Sequence, residues 1–136
     1  MYQKLIIVGN LGRDPEMRFT ASGTPVTNLS VATNRKWNNA EGVPQEETVW
    51  FRVSAWGRLA ETCNQYLTKG RQVLIEGSLK PDETGNPRVW VGQDGVPHAS
   101  FEMTAATVKF LGGRGSGDSQ DSAEPPQRES EDDIPF

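Results

Sequence analysis

From Thr48 to Trp56 apolar and polar positions alternate: Val49, Phe51, Val53 and Ala55 have one parity, and Trp50, Arg52, Ser54 and Trp56 the other. Successive side chains leave a β-strand on opposite faces, so this stretch predicts a strand with a plain core face. The second face sets a guanidinium between two indoles, and two readings of it compete. A strand buried on both sides has to take Arg52 inside, which is costly without a partner. A strand open on that side offers flat rings to unpaired bases and a cation to the phosphates joining them. The cost of burying Arg52 favours the open reading.

The rest of the pattern organises around that strand. Lys4–Val8 predicts a first strand, followed by turn chemistry at Gly9-Asn10, Gly12 and Asp14-Pro15. Met17-Arg18-Phe19 extends or caps that strand, and Val26–Asn34 is a second, with Leu29, Val31 and Thr33 on one face. The alternation stops from Arg35 to Glu47, where Asn38, Asn39, Gly42 and Pro44 mark a loop. After the Thr48–Trp56 strand the period lengthens. Leu59, Cys63, Tyr66 and Leu67 fall on one face of a helix over Leu59–Lys69, with Gly70 as its stop. Val73–Leu79 is the fourth strand. Lys80–Ala99 carries turn signals around a short strand-like piece, Arg88–Val91, which predicts a projecting hairpin. Ser100–Leu111 is the fifth strand, and its apolar parity switches between Ala105 and Val108, as a bulge or sharp bend requires. Three strands, a helix and two strands is the order of an all-β OB-fold, a five-stranded Greek-key barrel, although other small barrels share that order.

Past Leu111 the apolar periodicity ends. Residues 1–111 are expected to form the domain, 112–130 a disordered Gly/Ser/Asp/Glu/Pro/Gln-rich linker, and 131–136 an acidic tip. Charge divides at the same place. The net −4 of the 136 residues splits into 12 Lys+Arg against 11 Asp+Glu in 1–111, or +1, and 2 against 7 in 112–136, or −5. The acidity belongs to the tail, and a binding face on the domain must concentrate its cations locally. One cysteine, Cys63, and one histidine, His98, give no disulfide and no His/Cys metal site, which fits a reducing, cytoplasmic setting. No apolar run suggests a secretory signal or a membrane span, and no cofactor is expected.

All four tryptophans have a cation two residues away: Arg35 and Trp37, Trp50 and Arg52, Trp56 and Arg58, Arg88 and Trp90. In extended chain that spacing puts ring and cation on one face. Cation–π packing within the protein explains such pairs, but two of them lie in predicted loops, where a large ring has little core to enter. The tip, Glu131-Asp132-Asp133-Ile134-Pro135-Phe136, ends an otherwise polar tail on apolar residues, a combination suited to an apolar pocket with a basic rim.

Several motifs in one order resemble the bacterial single-stranded DNA-binding protein (SSB) family. They are Val8–Glu16, Thr48–Val53, Gly57–Glu61, Tyr66–Gly70, Ile75–Leu79 and the Asp-Asp-Ile-Pro-Phe ending. The resemblance implies an OB-fold that assembles as a homotetramer and coats single-stranded DNA without strong sequence preference. It carries DNA-stacking roles onto Trp37, Trp50, Trp56 and Trp90, and backbone contacts onto Arg52, Arg58 and Lys69. Arg35, Lys36 and Arg88 join this set as cations next to the indoles. The chain departs from the family pattern at Trp56, where phenylalanine is common, and at Pro81–Pro87, which looks like an insertion. The resemblance further implies that Asp132, Asp133, Ile134, Pro135 and Phe136 recruit replication, recombination and repair proteins at the bacterial nucleoid. A second class is an OB-fold module that binds RNA or partner proteins. An enzyme such as a nuclease needs a carboxylate set or an activated nucleophile, and the sequence supplies neither.

Overall fold

Val73 and Ile75 of one strand, and Val31, Val53 and Met103 of three others, are fully enclosed on the inward face of one sheet. The computed structural model describes residues 1–112. Within them the chain forms β1 (Leu5–Leu11), β2 (Glu16–Phe19), β3 (Pro25–Asn38), β4 (Pro44–Trp56), α1 (Arg58–Tyr66), β5 (Gln72–Leu79), β6 (Val89–Val91), β7 (Pro97–Ala99) and β8 (Phe101–Leu111). The main sheet runs β1-β5-β8-β4-β3-β2, and a further β1–β3 pairing closes it. Five strands make the barrel: antiparallel pairs join β1 to β5, β5 to β8, β3 to β4 and β1 to β3, while β4 and β8 are parallel. This is the predicted OB-fold, and β2 is an added edge strand on β3.

The parity switch in β8 is a register shift. Glu76 pairs with Thr107 but Gly77 with Ala105, which leaves Ala106 as an extra residue. Gly77 permits the shift, since a Cβ there would run into the Thr104 carbonyl. One strand thereby turns Met103 and Val108 to the same core.

Three expectations need correction. Met17-Arg18-Phe19 is neither an extension nor a cap of β1; it belongs to β2, paired with β3 at Met17–Thr27 and Arg18–Val26. Arg35–Glu47 is not a loop. β3 and β4 stay paired out to Asn38–Pro44, so a two-stranded arm projects from the barrel. Its residues are polar because neither face of the arm has a core to meet, and alternation therefore gave no signal. The helix ends at Tyr66, with Leu67 extended at its C-cap, and Lys69 lies beyond it. Of its expected apolar face, Cys63 and Leu67 are buried and Leu59 packs against the core, while Tyr66 is exposed. Thr27, enclosed on β3, donates its hydroxyl to the Ala60 carbonyl at 2.7 Å and ties the helix to the barrel.

The predicted hairpin after Lys80 is present. β6 and β7 pair only with each other, so it too projects. Its base is held by the Lys80 amide donating to the Glu102 carbonyl at 3.0 Å. The insertion beside it is a tight turn. Asp82 Oδ1 accepts from the Thr84 hydroxyl and from the Thr84 and Asn86 amides, and these bonds hold its carboxyl below the ordinary range, with Asn86 contributing most. β8 ends at Leu111. The expected linker from 113 onward and the expected tip lie outside the described residues.

Candidate nucleic-acid interface

The strand that alternates most clearly also defines the site. On β4, Val53 and Ala55 are buried and Val49 and Phe51 half-buried, whereas Trp50, Arg52 and Trp56 open to solvent. Ser54 is the exception on that side; it is buried, with its hydroxyl 3.4 Å from Asn28 Oδ1. Cross-strand partners share a face, so the register names the neighbours. Trp50 faces Ala32, Arg52 faces Ser30, Ser54 faces Asn28 and Trp56 faces Val26 on β3. Arg18 enters the same face through its pairing with Val26, and Glu102 through its parallel pairing with Arg52.

These side chains line three adjoining recesses that together make a groove across the outside of the barrel. The first, about 420 Å³, lies between Gly12, Arg13, Ser30, Trp50, Arg52 and Ser100. A narrow link of about 60 Å³ runs past Arg13, Arg18, Asn28 and Arg52. The third, about 310 Å³, is bounded by Arg18, Arg52, Trp56, Lys80, Arg88 and Glu102. An indole thus stands near each end, with guanidiniums along the floor. Gly12 shapes the first recess, since a Cβ there would collide with Cζ3 and Cη2 of Trp50. Arg52 and Arg88 each place an Nη1 4.0 Å from the same Glu102 oxygen.

The remaining expected residues divide. Trp37 and Lys36 line a separate recess at the tip of the β3–β4 arm, with Asn38, Pro44, Gln45 and Glu46. There the Arg35 guanidinium lies 4.2 Å from the Trp37 ring centre and 3.8 Å from Glu47 Oε1. Trp37 has the opposite strand parity to Trp50, so the two indoles leave β3 and β4 on different faces. Trp90 stacks on His98 across the β6–β7 hairpin, with ring centres 5.8 Å apart and planes at 29°. Arg58 and Lys69 line none of these recesses; the Lys69 amide instead donates to Asp14 Oδ1 at 2.8 Å. Among the described residues only Arg35 and Trp37, of the four pairs, make the cation–ring contact of the alternative reading, packing within the protein. Arg13, Arg18 and Lys80 belong to the groove but were not singled out. Arg18 was within reach of pattern reading, had Met17-Arg18-Phe19 been read as a strand of its own.

The barrel order and its outer groove define an OB-fold protein. The chain belongs to the single-strand binding protein family, whose model matches residues 2–111. It is 43% identical over 114 residues to a single-stranded DNA-binding protein of Xanthomonas campestris pv. campestris, covering 84% of this chain and 63% of that one. To the protein of the same description from Xanthomonas axonopodis pv. citri it is 42% identical, covering 84% and 60%. The chain therefore spans 63% and 60% of the length of these two curated relatives. An SSB of Plasmodium falciparum in complex with ssDNA superposes with a TM-score of 0.68 at 24% identity, over 82% of this chain and 97% of that one, and shows the fold. A deletion mutant of the single-stranded DNA binding protein from Thermus aquaticus superposes with a TM-score of 0.64 at 28% identity, over 82% and 51%.

Proposed function

We propose that this protein binds single-stranded DNA with little sequence preference, stacking bases on its indoles and holding phosphates with the cations between them. One observation carries the reading: Trp37, Trp50, Trp56 and Trp90 are 38%, 50%, 44% and 36% exposed, so none serves the core. Stacking on a ring is sequence-tolerant because every base has a π-face, and it contributes roughly 1–3 kcal/mol per base. The groove takes the strand past Trp50, Arg13, Arg52, Arg18 and Trp56. The arm carries Trp37 with Arg35 and Lys36, and the hairpin carries Trp90. Arg58 and Lys69 bound the same strand from outside the groove. The protein acts by binding and performs no chemistry on its ligand.

The reading extends to organisation. Residues 1–111 form the binding domain, 112–130 link it to the tip, and 131–136 recruit replication, recombination and repair proteins in the bacterial cytoplasm. Self-assembly into a homotetramer is supported by Ile6 and Val8, which leave the outer face of β1 exposed and apolar. Titration of intrinsic fluorescence with oligothymidylate tests the binding reading. Deep, saturable quenching is expected, with no preference for oligouridylate over oligothymidylate. A clear preference for RNA, or no response to either, favours an OB module with another partner. Sedimentation in the same buffers reads the assembly.

A further inference from the structure

Glu102 is the one carboxylate lining the third recess of the groove, and it is almost enclosed, with its side chain 8% exposed. It sits on β8 directly beside Arg52 of β4 in the parallel register. From the other side comes Arg88, at the root of the β6–β7 hairpin. Each guanidinium has Nη1 4.0 Å from the same carboxylate oxygen, and both remain more than half exposed. Arg88–Glu102 is the only ion pair among the described residues that joins the hairpin region to the barrel. A negative charge under a phosphate-binding groove works against affinity unless it does something else.

We propose that Glu102 is a positioning residue: it holds Arg52 and Arg88 side by side on the groove floor and fixes the root of the Trp90 hairpin over it. At 4.0 Å the attraction is ionic and no hydrogen bond is made, so the five N–H donors of each guanidinium stay available to a phosphate. The carboxylate cannot follow them out, being short, buried and on a strand. A phosphate therefore meets two guanidiniums already oriented from beneath, instead of two flexible chains that must be ordered on binding.

This rests on the single-strand binding reading, and the test separates the two. If the wild type fails to bind oligothymidylate, the binding reading falls. If it binds, Glu102→Gln is expected to bind about tenfold more weakly at fixed salt. Its log–log salt slope should also be shallower by about 0.7 for each phosphate that the arginines no longer neutralise. In an Arg52→Gln, Arg88→Gln background the same change should cost nothing further, because the groups it positions are gone. A merely structural role for Glu102 lowers the melting temperature and weakens binding alike in both backgrounds. Wild-type affinity or tighter in Glu102→Gln, or an equal loss in both backgrounds, overturns the proposal. Should Glu102→Gln not fold, the two half-exposed arginines supply the test with Glu102 intact. Removing one leaves the other the whole carboxylate, so the double loss should exceed the product of the single losses by about threefold. Simple multiplication of the two overturns it.

Discussion

At Trp50 the position of the indole depends on a side chain that is missing. A Cβ on Gly12 would overlap the six-membered ring, so the ring rests across bare backbone. Gly12→Ala is therefore expected to push Trp50 out of place and weaken oligothymidylate binding by roughly 1 kcal/mol, part of what the ring itself supplies. Trp50→Ala and Trp56→Ala should each lose roughly 1–3 kcal/mol of affinity with melting temperature nearly unchanged. An inward residue behaves oppositely. Met103→Ala, at a fully enclosed site, should cost roughly 2–5 kcal/mol of stability and leave the affinity of the folded protein alone. Calorimetry and fluorescence titration on the same variants read both quantities. A Trp50 variant that unfolds would return that ring to the core.

At the scale of elements, what could be read from the sequence followed from what each element buries. β4, β5 and β8 each have a core face, so alternation located them, and the Ala105–Val108 parity switch even located the irregularity in β8. The arm beyond Thr33 and Val49 contains no buried residue, and hydrogen-bond pairing alone leaves no hydrophobic trace, so it read as a loop. The groove was legible on one strand only. Trp50, Arg52 and Trp56 declared themselves by parity, whereas Arg13, Arg18 and Lys80 join them through pairings and turns that no local pattern encodes. α1 makes its own prediction. Burial pushes the Cys63 thiol from its ordinary value of 9.0 up to about 11. The unfolded chain then releases this proton first, so between those two values it binds fewer protons than the native state. By linkage, this group's contribution to stability is whole below pH 9 and declines as pH rises toward 11. Cys63→Ala should lose that part of the alkaline decline, measured by denaturant unfolding at about pH 8 and about pH 10.

For the whole molecule the useful variable is salt. Phosphate contacts release counterions, so log affinity should fall linearly with log salt at about −0.7 per phosphate on single strands. Stacking is not ionic, so a residual affinity should survive at high salt; its loss would remove the indoles from the account. Residues 113–136 carry the other prediction. Phe136→Ala keeps every charge, so DNA affinity should stay the same while pull-down of partner proteins from bacterial extract collapses. Equal recovery by wild type and variant would end the recruiting role.

The outward placement of all four indoles also sets what light can report. Each ring nevertheless keeps half or more of its surface covered in the native state, so unfolding should move its emission toward that of an indole in water. A base laid on that ring offers an efficient route for the excited state to decay. The protein thus carries a built-in optical gauge that answers both to strand occupancy and to its own melting. Dichroism of the sheet in the far ultraviolet, or heat, follows melting alone.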